Sequence, residues 1–276
     1  MSESLWPAPA KLNLFLHILG RRPDGYHELQ TMVQLIDLCD TLGITLREED
    51  VIERTAGPDG VPPEADLTVR AAQALKAAAG VRQGASLRLI KRIPMGGGLG
   101  GGSSDAATTL IALNRLWGCG MSTAQLADLG LTLGADVPVF VHGVSAWAEG
   151  LGERLTPLTL PPHWFVILYP GVTVATHEVF QAPELTRNSP ALTITAFLQS
   201  GGRNDCEAVV RARFPEVARA LEWLGRWAPA RLTGTGSCVF AAFDSASAAE
   251  RVAARVPDEW RSFVARGLSR SPVLFD

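Results

Sequence analysis

Six of the seven residues at positions 96–102 are glycine, and two serines, Ser103 and Ser104, follow them. Glycine takes positive φ without steric cost and puts no Cβ between its amide and a ligand, so successive N–H groups can converge on one anion. Beyond the serines, Ala106, Ala107, Leu110, Leu113 and Trp117 recur at helical spacing, and Gly118 offers a stop. A helix beginning near Ser103 would add the partial positive charge of its N-terminus to those amides. A glycine run feeding a helix start suits the holding of phosphate. A flexible linker is the competing reading, and it explains neither the strand pattern before the run nor the periodic apolar residues after it.

The common phosphate loops do not fit. Gly96, Gly98 and Gly101 satisfy GxGxxG, but a dinucleotide site wants an acidic residue about 20 positions on, and residues 114–125 contain none. A P-loop requires Gly-Lys-Ser/Thr, whereas Gly102 runs straight into Ser103. The HRD and DFG elements that accompany a protein-kinase glycine loop are absent from the chain.

Three of the 25 basic residues are lysine: Lys11, Lys76 and Lys91. Where arginine is the default cation, a retained compact ammonium invites a reason. Lys11 opens a strand pattern over residues 11–19, sharing a face with Asn13, Phe15 and His17 while Leu12, Leu14, Leu16 and Ile18 take the other. By residue type alone it could equally snorkel to the surface. Asp136 precedes Val137-Pro138, where N-capping is the ordinary use of an aspartate. His17, His142, His163 and His177 do not cluster, so no zinc or iron centre is expected. Cys39, Cys119, Cys206 and Cys238 form no CxxC pair and predict reduced core thiols.

These groups need elements to position them. The turn-rich run Gly20-Arg-Arg-Pro-Asp-Gly25 predicts a hairpin after the first strand. Short strands are expected over 40–47 and 51–54, a loop around Gly57 to Pro63, and a helix over 66–79 with Leu67, Ala71, Ala74, Leu75 and Ala78 on one face. A strand over 86–92 enters the glycine run. Further along, the pattern predicts a helix over 123–131, a strand over 164–169, a long amphipathic helix over 207–227, a glycine-bearing strand over 231–243 and a helix over 245–256. Pro157, Pro161 and Pro162 mark a change of texture that places a domain boundary near residue 155.

Composition narrows the class. A 276-residue chain with 47% hydrophobic and 19% charged residues is an ordinary globular protein able to bury a substantial core. A net charge of −3 without a basic run disfavours nucleic acid as a partner. No apolar stretch of about 18 residues occurs and the N-terminus begins polar, so neither a membrane span nor a signal peptide is expected, and a cytoplasmic location follows.

The run Pro94-Met-Gly-Gly-Gly-Leu-Gly-Gly-Gly-Ser-Ser104 resembles the signature loop of the GHMP small-molecule kinases. Pro9-Ala-Lys-Leu-Asn13, Asp24-Gly-Tyr-His-Glu28, Leu133-Gly-Ala-Asp-Val-Pro138, Asn204-Asp205-Cys-Glu207 and Thr233-Gly-Thr-Gly-Ser-Cys-Val-Phe240 extend the resemblance over nearly the whole chain. They narrow it to the branch whose acceptor is cytidine diphospho-methylerythritol, in non-mevalonate isoprenoid precursor synthesis. What this implies is a two-domain α+β fold: a ribosomal-S5-like nucleotide-binding domain over 1–155 and a ferredoxin-like domain over 156–276 that completes the substrate cleft. The implied activity is ATP- and Mg²⁺-dependent phosphorylation of the acceptor's 2-hydroxyl, by direct transfer.

The resemblance also assigns residues. Lys11 and Asp136 match the catalytic lysine and aspartate: a carboxylate can accept the proton an attacking alcohol sheds, and an ammonium can offset charge on the transferring phosphoryl group. Pro94, Met95, Gly96, Gly97, Gly98, Leu99, Gly100, Gly101, Gly102, Ser103 and Ser104 match the ATP loop, with Lys91 a nucleotide contact or else a surface lysine. Tyr26 and His27 belong to the cytidine pocket, with Phe180 a second stacking aromatic, and Asn13 and Thr176 contact substrate. Gly234-Thr-Gly-Ser237, by itself a turn or bulge, would support the phosphate loop. Asp66 and Asp105 stand where some relatives carry asparagine, and no protein ligand for Mg²⁺ is assigned. The remaining readings are a homoserine, mevalonate or sugar kinase, or a catalytically silent nucleotide-binding regulator; a homodimer stays open.

Overall fold

The computed structural model describes residues 2–274. Two long strands, β1 (Ser4–Arg21) and β2 (His27–Arg47), pair antiparallel through the predicted Gly20–Gly25 turn, with Lys11 opposite Leu35 and Asn13 opposite Val33. Both faces of this hairpin are largely buried, so polar alternation is weak outside residues 11–19 and 40–47. Hence β1 begins well before Lys11, and β2 well before Asp40. Register shifts between Pro9 and Lys11 and between Asn13 and Leu16 break the simple two-face reading of β1. Phe15, expected on the polar face, is buried beside Trp147 and Phe197.

The first half continues with β3 (Ile52–Ala56), α1 (Leu67–Ala79), β4 (Gly84–Ile90), α2 (Gly101–Leu116), α3 (Thr123–Leu131), α4 (Val137–His142) and the hairpin β5 (Ala146–Gly150) and β6 (Arg154–Pro157). Asp66 caps α1 by accepting from the Thr68 amide at 2.8 Å. The buried face of α1 is Thr68, Val69, Ala71, Ala72 and Leu75, whereas Ala78 is exposed. This rotation from the expected face puts small residues against α2, which is itself buried along most of its length. The helix after the glycine run starts at Gly101 rather than Ser103, so two glycines lie in its first turn.

The second half holds β7 (Trp164–Tyr169), α5 (Thr176–Gln181), α6 (Ile194–Ser200), α7 (Glu207–Arg213), α8 (Pro215–Gly225), β8 (Ala230–Leu232), β9 (Val239–Phe243), α9 (Ala246–Ala253) and β10 (Arg261–Leu268). Two expectations are corrected. The helix over 207–227 is broken at Phe214 (φ −125°, ψ 88°), because Pro215 cannot donate and instead opens a second helix. The strand over 231–243 is likewise split: residues 233–238 leave the sheet to form a loop that reaches the glycine run.

The strands follow the path β3-β4-β2-β10-β7-β9-β8, with β1 on β2 and β5 bridging β2 to β6. The link between halves is β10, which pairs with β7 over six residues and with β2 at Ile36 and Leu35. Gln34 Nε2 reinforces that junction by donating to the Leu268 carbonyl at 2.7 Å. Apolar residues from both halves, among them Leu12, Ile36, Leu99, Phe165 and Phe240, form one buried cluster across the junction. Fully burying each such side chain is worth about 1.5–3 kcal/mol.

Candidate active site

A cleft of about 930 Å³ opens between the two halves. Its volume is at the upper end of the range for small-molecule sites. The glycine run lies on one wall, and Lys11, Asn13 and Asp136 line the cleft with it. Tyr26, His27 and Phe180 line another part.

Lys11 is buried in the interior of β1, at 4% exposure. Its amide donates to the Leu99 carbonyl and its Nζ to the Gly98 carbonyl, both at 3.0 Å. The same Nζ donates to Asn13 Oδ1 and stands 3.6 Å from Asp136 Oδ2. Asn13 is fixed in turn, its amide bonding Thr233 Oγ1 and its Nδ2 bonding Thr31 Oγ1, each at 3.0 Å. The ammonium is therefore not at the surface. Asp136 occupies the first position before α4, but its side chain makes no capping bond and remains half exposed. A carboxylate unused by its helix and open to the cleft is free for other work.

The glycine run is held from behind by the loop of residues 233–238. Ser237 and Cys238 amides donate to the Gly96 and Gly97 carbonyls at 3.3 and 3.1 Å, and Thr233 Oγ1 donates to the Gly98 carbonyl at 3.3 Å. The Ser104 amide takes the Gly100 carbonyl at 2.9 Å. With the carbonyls from Gly96 to Gly100 all committed to protein donors, the loop's amides are what remains for the cleft. Gly98 shows why the residue type is required: φ is +74°, and a Cβ would sit 2.2 Å from the Thr233 carbonyl oxygen.

Lys91 also lines the cleft, with its ammonium bonded to Asp40 Oδ2 at 2.5 Å and Asp105 Oδ2 at 2.7 Å. Burial opposes its charge, but the two carboxylates raise its pKa above the usual value. Asp40 Oδ1 meanwhile accepts from the Arg92 and Ile93 amides, anchoring the chain where it enters the loop. Burial pushes the Asp105 carboxyl up to about 8, Lys91 working against that shift and Asp40 adding to it. Asp105 Oδ1 is buried without a hydrogen-bond partner among the described residues. A negative charge near the start of α2 would oppose an anion there, and the Lys91 ammonium partly neutralises that of Asp105 from beneath. Asp66 is similarly occupied, by Thr68 and by Arg54 Nη1 at 2.8 Å.

At the other end, Tyr26 is 63% exposed at the cleft wall. The His27 ring stacks on Phe180 at 5.1 Å and 29°. Thr176 Oγ1 contacts Thr235 Oγ1 at 3.1 Å. Asn204 and Asp205 are not part of the cleft wall: Asn204 Nδ2 bonds the Leu232 and Gly234 carbonyls, and Asp205 accepts from the Ile18 amide and Ser189. Ser104 is fully buried beneath the loop. Asp40 and Arg187 escaped the sequence reading, since each acts on residues remote in the chain and carries no local pattern. Burial pushes the Cys39 and Cys206 thiols up to about 12, and raises Cys238 as well, against the thiolate form a nucleophile needs.

Residues 66–144 match the GHMP kinases N terminal domain and residues 183–262 the GHMP kinases C terminal domain. A 4-diphosphocytidyl-2-C-methyl-D-erythritol kinase from Alkalilimnicola ehrlichii is 58% identical over 98% of this chain and 92% of its own length. One of the same name from Nitrosococcus oceani is 56% identical over 98% and 96%. A solved structure of 4-(cytidine 5'-diphospho)-2C-methyl-D-erythritol kinase superposes with a TM-score of 0.84 at 36% identity, covering 96% of this chain and 99% of that one. A homoserine kinase from Cytophaga hutchinsonii shares the fold with a TM-score of 0.71 at 18% identity over 98% and 96%.

Proposed function

This chain belongs to the GHMP kinases, and from that premise we propose how its own residues carry the transfer. It is an ATP-dependent kinase that phosphorylates the 2-hydroxyl of 4-diphosphocytidyl-2-C-methyl-D-erythritol. The observation that carries the site assignment is the position of the Lys11 ammonium, bonded to the Gly98 carbonyl of the loop and 3.6 Å from Asp136. One cation thereby joins the phosphate wall to a carboxylate suited to take an alcohol proton.

In this reading the amides of residues 96–103 hold the phosphates, aided by the N-terminus of α2. The acceptor's cytosine lies against Tyr26 and Phe180 near His27, and Asn13 and Thr176 orient the remainder. Asp136 accepts the 2-hydroxyl proton as the oxygen attacks the γ-phosphorus, the bond to the β,γ-bridging oxygen breaks and ADP leaves, while Lys11 offsets charge on the phosphoryl group in transit. Direct transfer fits, because no cysteine is among the residues lining the cleft. We also propose Mg²⁺ with the nucleotide. Among the described residues no group of three or more His, Cys, Asp or Glu could cage an ion. That suits an ion held mainly by phosphates and water, with the Ser103 hydroxyl as an oxygen donor lining the cleft; when bound it would neutralise phosphate charge. No helix among the described residues is long and apolar enough to cross a membrane. The four unpaired cysteines support a cytoplasmic setting.

A division near residue 155 is supported by the end of the β5–β6 hairpin at Pro157, before β7 begins. The test of function is ADP release with ATP, Mg²⁺ and a panel of acceptors: the cytidylylated methylerythritol, methylerythritol phosphate, homoserine, mevalonate and galactose. Turnover on the first alone is expected, and Asp136→Asn should remove most of it while ATP binding survives. Near-normal turnover in that variant would rule out Asp136 as the base.

A further inference from the structure

A guanidinium has five N–H donors and no acceptor. Arg187 Nε lies 3.2 Å from His27 Nε2. That nitrogen must therefore present its lone pair, because an Nε2–H or a doubly protonated ring would set two donors head to head. His27 is thus neutral, with its proton on Nδ1. Burial, together with the positive charges of Arg187 and Arg21, holds its pKa below the usual 6.5. Nδ1 has no protein acceptor among the described residues' hydrogen bonds, and the ring lines the cleft against Phe180.

Three of the four remaining guanidinium donors are also spent locally. Nη2 donates to the Phe180 and Ala182 carbonyls at 2.9 and 2.7 Å, and Nη1 donates to the Leu185 carbonyl at 3.1 Å. One side chain therefore sets the protonation pattern of the imidazole and holds the backbone that carries its stacking partner. We propose that Arg187 is a positioning residue that determines base specificity, by presenting His27 as a fixed Nδ1–H donor to the acceptor's pyrimidine. Cytosine offers an unprotonated N3, which accepts from such a donor. Uracil carries a hydrogen at N3 and meets it donor to donor. The inference rests on the cytidylylated acceptor proposed above, and it adds the group that would separate cytidine from uridine.

The test has two arms. In protein labelled with ¹⁵N at histidine, the His27 resonances of the wild type should show an unprotonated Nε2 and a protonated Nδ1 throughout neutral pH. In Arg187→Met the Nε2–H form should appear and the ring should titrate closer to 6.5. Kinetically, the ratio of kcat/KM for the cytidine acceptor over its uridine counterpart should fall about tenfold or more in Arg187→Met, the scale of one hydrogen bond left unmade. The KM for ATP should hold. Arg187→Lys, which also offers only donors, should restore the tautomer and much of the cytidine preference, a rescue that loss of backbone support alone would not give. A protonated Nε2 in the wild type would overturn the proposal without touching the kinase reading, and needs no variant. An unchanged cytidine-to-uridine ratio in Arg187→Met would overturn the specificity role. Absence of turnover on both nucleotide acceptors, with the tautomer as described, would overturn the acceptor and the specificity together.

Discussion

Lys11 is buried, yet its ammonium meets oxygens from three places: its own strand, the glycine run and the segment before α4. Lys11→Met keeps the stem and removes the charge, so kcat should fall by about 10²-fold or more, with a smaller change in acceptor KM; steady-state kinetics with each substrate varied would check this. Asp105 makes a different prediction. A carboxyl raised from 3.8 to about 8 by burial contributes its stability in full below 3.8 and loses it as pH rises through about 8. Asp105→Asn should flatten the fall in Tm across that window, read by thermal melts at a series of pH values. A slope identical to the wild type would mean that another group carries it. At this scale the motifs named positions that the fold does bring to the cleft, Lys11, Asp136 and His27 among them. They were silent on Asp40 and Arg187, whose worth lies in partners far along the chain.

Among the elements, the glycine run depends on the loop of residues 233–238 as much as on its own composition. Gly98→Ala brings a Cβ onto the Thr233 carbonyl at positive φ, and strain of about 1–3 kcal/mol is expected. Displacement of the loop should raise the KM for ATP more than that for the acceptor, and a wild-type ATP KM would show that the contact yields without moving the amides. Helices with one buried stripe and strands with polar ends could be placed from the residues alone, as α3 and β7 were. The hairpin of β1 and β2 could not be bounded, because burial on both faces erases alternation. The break at Pro215 was hidden because apolar spacing continues on either side of it, and the loop within 231–243 because its glycines serve another segment rather than its own sheet.

For the molecule as a whole, the cluster containing Leu12, Ile36, Phe165 and Phe240 joins both halves beneath the cleft. Phe165→Ala should cost about 3–5 kcal/mol, and both halves should still unfold in one transition. Urea melts followed by circular dichroism and tryptophan fluorescence would then coincide; separated midpoints would mean that the halves are independent. The pairing of the halves had no local signature in the sequence, because it runs through β10, close to the end of the described chain. During synthesis that strand leaves the ribosome after every other strand of the sheet has emerged. Until it does, β7 has one exposed edge and β2 a gap at Leu35 and Ile36, both open to pairing with other chains. The nascent protein therefore needs shielding at both places until that strand has emerged and paired.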